Sequence, residues 1–101
     1  MTRIRTVSFF PAARRELRDA VSYYNDQFPG LGFEFAAEVR RTIDRINRFP
    51  SSWTKLSPQT HRCLTHRFPY AVIYYVTGHE LFIVAVMHLK RNPDSWRNNL
   101  N

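Results

Sequence analysis

The residues of this chain best equipped for chemistry are basic and aromatic, and they lie in its second half. Arg62 and Arg67 come from one predicted strand, Tyr70 follows them, and His88, Lys90 and Arg91 lie at and just past another. Trp96 and Arg97 follow on a predicted terminal helix. Guanidinium groups and an imidazole can hold phosphate oxygens and move a proton, and an exposed indole can stack on a base. The same surface suits an acidic protein equally well. Each member also has a plainer role open to it: Tyr70 in the core, Trp96 as an anchor for the last helix, the arginines as solvated surface.

Other chemistries find little support. The chain has no P-loop, dinucleotide glycine motif, nucleophile elbow or zinc-type Cys/His spacing. His61, Cys63 and His66 are close in sequence, but a strand would point the first two one way and His66 the other. Neither a metal nor a cofactor is therefore expected. Cys63 reads as a small buried residue without an activating arrangement. Glu80 and Asp94 are the only acids after residue 44, which argues against carboxylate acid–base catalysis or carboxylate-bound Mg²⁺.

The charge balance narrows the partners. Among 101 residues, 15 Lys and Arg stand against 8 Asp and Glu, a formal net charge of +7. Residues 1–44 are nearly balanced, so residues 45–101 carry almost all of the excess. Such a field attracts nucleic acid or an acidic protein. A lone cysteine excludes an intramolecular disulfide and fits a reducing compartment. Arginines interrupt any secretory apolar core near the N-terminus, and the apolar run Leu81 to Met87 is far below the roughly 20 residues of a membrane span. A cytoplasmic location is expected.

The elements that must position these residues fit one domain over 1–101. Residues 3–10 alternate as a first strand. Pro11 suits the first turn of a helix whose apolar face is Ala13, Leu17, Ala20, Tyr24 and Phe28. Pro29-Gly30 stops it. A second helix follows over about 31–48, burying Ala36, Val39, Ile43 and Ile46 with Phe35 beside them, and permitting an Asp44–Arg48 pair. After a connection between Pro50 and Pro58 come strands over 61–68, 70–77 and 81–88, the last apolar on both faces and so central. The order is β-α-α-β-β-β with a short terminal helix. This is an α+β fold, a helical hairpin on one face of a twisted antiparallel sheet.

Three local patterns, in this order, resemble the RelE/ParE superfamily of type II toxin–antitoxin toxins. The first is Glu16-Leu17-Arg18-Asp19-Ala20 through Tyr23-Tyr24 to Pro29-Gly30-Leu31-Gly32. The second is Arg67-Phe68-Pro69-Tyr70 followed by Val72-Ile73-Tyr74-Tyr75. The third is Ala85-Val86-Met87-His88-Leu89-Lys90-Arg91, then Pro93 and Trp96-Arg97. The resemblance implies an antitoxin that wraps an extended or helical segment around the toxin, contact with operator DNA only through that antitoxin, and a role in plasmid stabilization. It also implies one of two activities. RelE-like members cut mRNA on the ribosome with arginines, lysines and a C-terminal tyrosine, without metal. ParE-like members keep the fold, lack much of that set and poison DNA gyrase.

Several positions depart from the RelE-type pattern. The strand arginine expected after the tyrosine falls at Ala71, and a second falls near Leu89, two positions before Arg91. The terminal tyrosine falls near Trp96, and Thr65 and His66 stand where strand lysines are expected. Arg67, His88 and Arg91 are then the only substitutes for the base, acid and cations of metal-free cleavage. Arg62, Tyr70, Lys90, Trp96 and Arg97 are the candidate contacts for a target or nucleic acid. The expectation is a ParE-like gyrase inhibitor with an acidic cognate antitoxin. The alternatives are a RelE-like ribosome-dependent nuclease and an inactive relative that only binds antitoxin.

Overall fold

A computed structural model describes residues 5–100 of the chain. The elements are β1 (Thr6–Phe9), α1 (Pro11–Gln27), α2 (Leu31–Arg48), β2 (Thr54–Lys55), β3 (His61–Leu64), β4 (Tyr70–Thr77), β5 (Glu80–His88) and a C-terminal 3-10 helix (Ser95–Leu100). The expected order holds, with one short strand added in the connection between the prolines. Residue 3 and its neighbours up to residue 4, expected in the first strand, lie outside the described residues.

The five strands form one sheet in the order β1-β5-β4-β3-β2. Four neighbouring strands pair antiparallel, as expected, but β1 runs parallel to β5 with Val7 opposite Leu81 and Phe9 opposite Ile83. The sheet is therefore mixed. A parallel neighbour needs a long crossover, and the α1–α2 hairpin and later strands supply it. Strand alternation alone does not reveal such a long-range pairing.

The helical hairpin covers one face. Phe35, Val39 and Ile46 from α2 pack with Ala13 and Ala20 from α1 against Val72, Tyr74, Ile83 and Val86. Leu17, Tyr24 and Ile43 are partly buried at the margin of this core. Phe28 is 65% exposed, contrary to its place in the expected apolar stripe. It is the C-cap in an extended conformation, outside the helical repeat that would have turned it inward. The ion pair on α2 also differs from the expected Asp44–Arg48 pair: Arg41 meets Glu38 at 3.1 Å.

The hairpin closes tightly because of two glycines. Gly30 adopts φ +90, which an L side chain rarely tolerates. At Gly32 a Cβ would meet the Val21 carbonyl oxygen at 2.1 Å, and its N–H donates to Asn25 Oδ1 at 2.7 Å.

The opposite face of the sheet is covered too. Ile73, Val84, Ala85 and Met87 form a second cluster with Trp96, whose indole is 2% exposed. The C-terminal 3-10 helix is thus packed on the back of β4 and β5. The sheet divides the sequence candidates between two faces, which decides what they can do together.

Candidate functional site

Pairing puts Tyr70 opposite His88, on the helix side of the sheet. Their rings meet edge to face at 5.1 Å. With Glu16, Asp19 and Ala20 from α1, and with Val86 and Arg91, they line a shallow depression of about 240 Å³.

Glu16 organises this depression. β1 stops at Phe9, so the edge of β5 beyond Ile83 has no strand beside it. Its carboxylate accepts the Val86 N–H at 3.0 Å, and Asn99 donates to the Val84 carbonyl at 3.0 Å. Two side chains therefore replace the missing strand and satisfy backbone groups that would otherwise stay unpaired. The Asn99 amide and the Arg91 guanidinium also donate to Glu16, the latter at 3.3 Å.

His88 is held from the backbone. Its Nδ1 accepts the Lys90 N–H at 3.0 Å, which leaves the proton of the neutral ring on Nε2. Tyr70 stays protonated, because burial and then repulsion from Tyr24, Tyr23 and Glu16 push its hydroxyl up. The phenol is thus not poised as a base.

Arg67 stands apart, on the loop between β3 and β4. Its guanidinium pairs with Glu34 at 2.9 Å and lies over the Phe68 ring at 4.9 Å. That loop is strained, since Phe68 adopts φ +71, a region costly for a bulky side chain. Several contacts hold it there. The Thr65 hydroxyl donates to the Phe68 carbonyl at 2.7 Å, and the Phe68 ring packs 4.9 Å from Tyr24 and 5.2 Å from Phe35. From α2, Glu38 accepts the N–H groups of His66 and Arg67. Burial pushes the Glu38 carboxyl up, but those N–H groups and Arg41 outweigh it and hold it below the ordinary carboxylate range.

The family model for the ParE toxin of type II toxin–antitoxin systems, parDE, matches residues 7–93. The chain belongs to the ParE toxin family. It is a ParE-like toxin of a type II toxin–antitoxin system. No curated protein matches it. A solved structure titled "Chromosomal ParDE TA system from P. aeruginosa" shares the fold, with a TM-score of 0.73 at 12% identity. The match covers 87% of this chain and 99% of that one.

Within this ParE fold the remaining candidates scatter. Arg62 lies opposite Ile73, whose side chain belongs to the back cluster, and its Nε is buried without a partner. Trp96 does not offer the exposed indole expected from sequence: it is buried, and Arg97 covers the ring at 4.5 Å while pairing with Asp94 at 3.4 Å. Its large apolar surface fills the back of the sheet instead. Ala71 is fully buried opposite Met87, and Leu89 is half exposed just past β5. Lys90 is exposed beside His88. His61 stacks on Tyr74 at 5.7 Å, His66 is exposed, and burial pushes the Cys63 thiol up although Arg45 opposes it. These three do not converge.

Of the three nuclease substitutes, His88 and Arg91 share the depression, while Arg67 is bound elsewhere. Sequence reasoning missed Glu16, Asp19, Glu38 and Asn99. The helix-1 pattern contains Glu16 and Asp19, whereas Glu38 and Asn99 carry no signal in the sequence.

Proposed function

We propose that this toxin arrests growth by inhibiting DNA gyrase and is neutralised by an acidic cognate antitoxin. The observation that carries the reading is the company His88 keeps. Two carboxylates, Glu16 and Asp19, line its depression, and Glu16 neutralises Arg91. A phosphodiester brought there meets negative charge, with no free guanidinium pair to stabilise a pentacoordinate phosphorus. Membership of the ParE family favours the same choice.

Two features support the antitoxin. The net charge of +7 speeds encounter with an acidic segment. Between β1, α1 and α2 runs a largely apolar groove of about 380 Å³ lined by Val7, Phe9, Leu17, Ala36, Val39 and Ile43, with Arg40 and Asp44 as its charged members. Apolar anchors seated there would set the lifetime of the complex, and operator DNA would be reached through the antitoxin alone.

The test is induced expression with and without the acidic protein encoded beside the toxin gene. Arrest with chromosome breaks, relieved by that protein, is expected, and it should persist in the His88→Ala, Arg91→Ala double variant. Arrest with intact DNA and cut mRNA, lost in that variant, would establish the RelE-like alternative. No arrest at all would leave the antitoxin-binding relative.

A further inference from the structure

A second cleft opens at the far end of β4 from Tyr70. β3 begins at His61 opposite Tyr74, so Tyr75 to Thr77 have no strand beside them on that side. The cleft fills this gap, with a volume of about 400 Å³, walled by Arg5, by the connection carrying Pro50, Ser51, Pro58 and Gln59, and by the sheet edge from His61 and Tyr74 to Thr77. It shares no lining residue with the Tyr70–His88 depression.

Arg5 is the one arginine or lysine that lines this cleft. Arg41, Arg67, Arg91 and Arg97 each pair with a carboxylate. Arg5, like Arg14, Arg40 and several others, has no such partner among the described residues, but here no carboxylate lines the cleft. The guanidinium is nevertheless fixed: its Nη1 donates to the Asn47 carbonyl at 2.8 Å and to Asn47 Oδ1 at 3.2 Å. Its Nε is buried without a hydrogen-bond partner. A held cation in a cleft without a carboxylate is arranged for an anion. Gln59, Ser51 and Thr77 add neutral donors at the rim, and the unpaired edge of β4 adds peptide groups.

The remaining walls are flat and weakly polar. His61 stacks on Tyr74, whose hydroxyl donates to the Pro50 carbonyl at 2.6 Å and ties the connection to the sheet. Rings and prolines suit a planar base better than a polyhydroxylated sugar. We propose that this cleft binds a small phosphorylated ligand of the nucleotide class, its phosphate on Arg5 and its base against the His61 side. A cleft walled by a loop, with one arginine in its lining, favours a small ligand over the extended backbone of a nucleic acid, which needs a continuous basic track.

The experiment is an amide and imidazole NMR titration of the whole chain with AMP, inorganic phosphate and adenosine. AMP should saturate, with shifts confined to residues 50–61 and 74–77; phosphate should move part of the same set, and adenosine should not saturate. Gln59→Glu adds a repelling charge at an exposed position and should weaken AMP at least about tenfold without changing the melting temperature. Arg5→Gln should do the same to affinity. The proposal fails if AMP shows no saturation by ~10 mM, if adenosine binds as well as AMP, or if neither variant weakens binding. It also fails if a short single-stranded oligonucleotide binds here about a hundredfold tighter than AMP, since that marks a nucleic-acid track. None of these outcomes depends on the gyrase assignment.

Discussion

Glu16 and Arg91 are 75 residues apart in the chain and 3.3 Å apart in the fold. The arginine best placed to assist His88 is thereby held by the carboxylate that also caps the open edge of β5. One contact therefore supports the sheet and engages the cation of the depression that holds His88.

Removing that carboxylate should be felt as lost stability. Glu16→Ala leaves the Val86 N–H and Arg91 without their acceptor and the Asn99 amide with the Val84 carbonyl alone. A cost of about 1–3 kcal/mol is expected, since the backbone donor is partly shielded from water. Denaturant unfolding should show it as a lower midpoint at unchanged slope.

Glu38 predicts an acid limb in the stability profile. Its folded carboxyl is held below the ordinary value of 4.5, so its contribution is full above that value and is lost as pH falls through the depressed one. Glu38→Gln should destabilise by ~1–3 kcal/mol at neutral pH and flatten part of the decline below about pH 4.5. Equal acid slopes in both proteins would show that Glu38 does not hold the loop through its charge.

Phe68 should reverse the usual ranking of alanine and glycine. Both substitutions lose the ring that packs on Tyr24 and Phe35. Only glycine accepts φ +71 without strain, so Phe68→Gly should be more stable than Phe68→Ala by about 1 kcal/mol. Thermal melts of the two variants suffice, and a more stable alanine variant would refute the strained loop.

Trp96 should behave as core. Trp96→Ala is expected to cost ~3–5 kcal/mol by stripping the back of β4 and β5. A surface contact would change stability by less than about 0.5 kcal/mol.

Much of this fold was legible because short-range physics wrote it. The spacing of Ala13, Leu17 and Ala20, the Pro29-Gly30 stop and the alternation from Tyr70 to Thr77 each report a local period, and the elements follow. The parallel pairing of Val7 with Leu81 has no local signature. The burial of Trp96 was hidden for a related reason: an aromatic in a short polar helix looks the same whether it faces water or the unclaimed back of a sheet. The site was half legible. Types and spacing marked Tyr70, His88 and Arg91, but the carboxylates that set their chemistry come from α1, and only folding brings them near.

The most direct measurement places purified toxin with gyrase and relaxed or supercoiled plasmid in one reaction, and with translating ribosomes and mRNA in another. Lost supercoiling or trapped cleavage complexes in the first, with intact message in the second, is the predicted result, unchanged by His88→Ala. Message cut at codon positions, abolished by His88→Ala or Arg91→Ala while gyrase works normally, would contradict it.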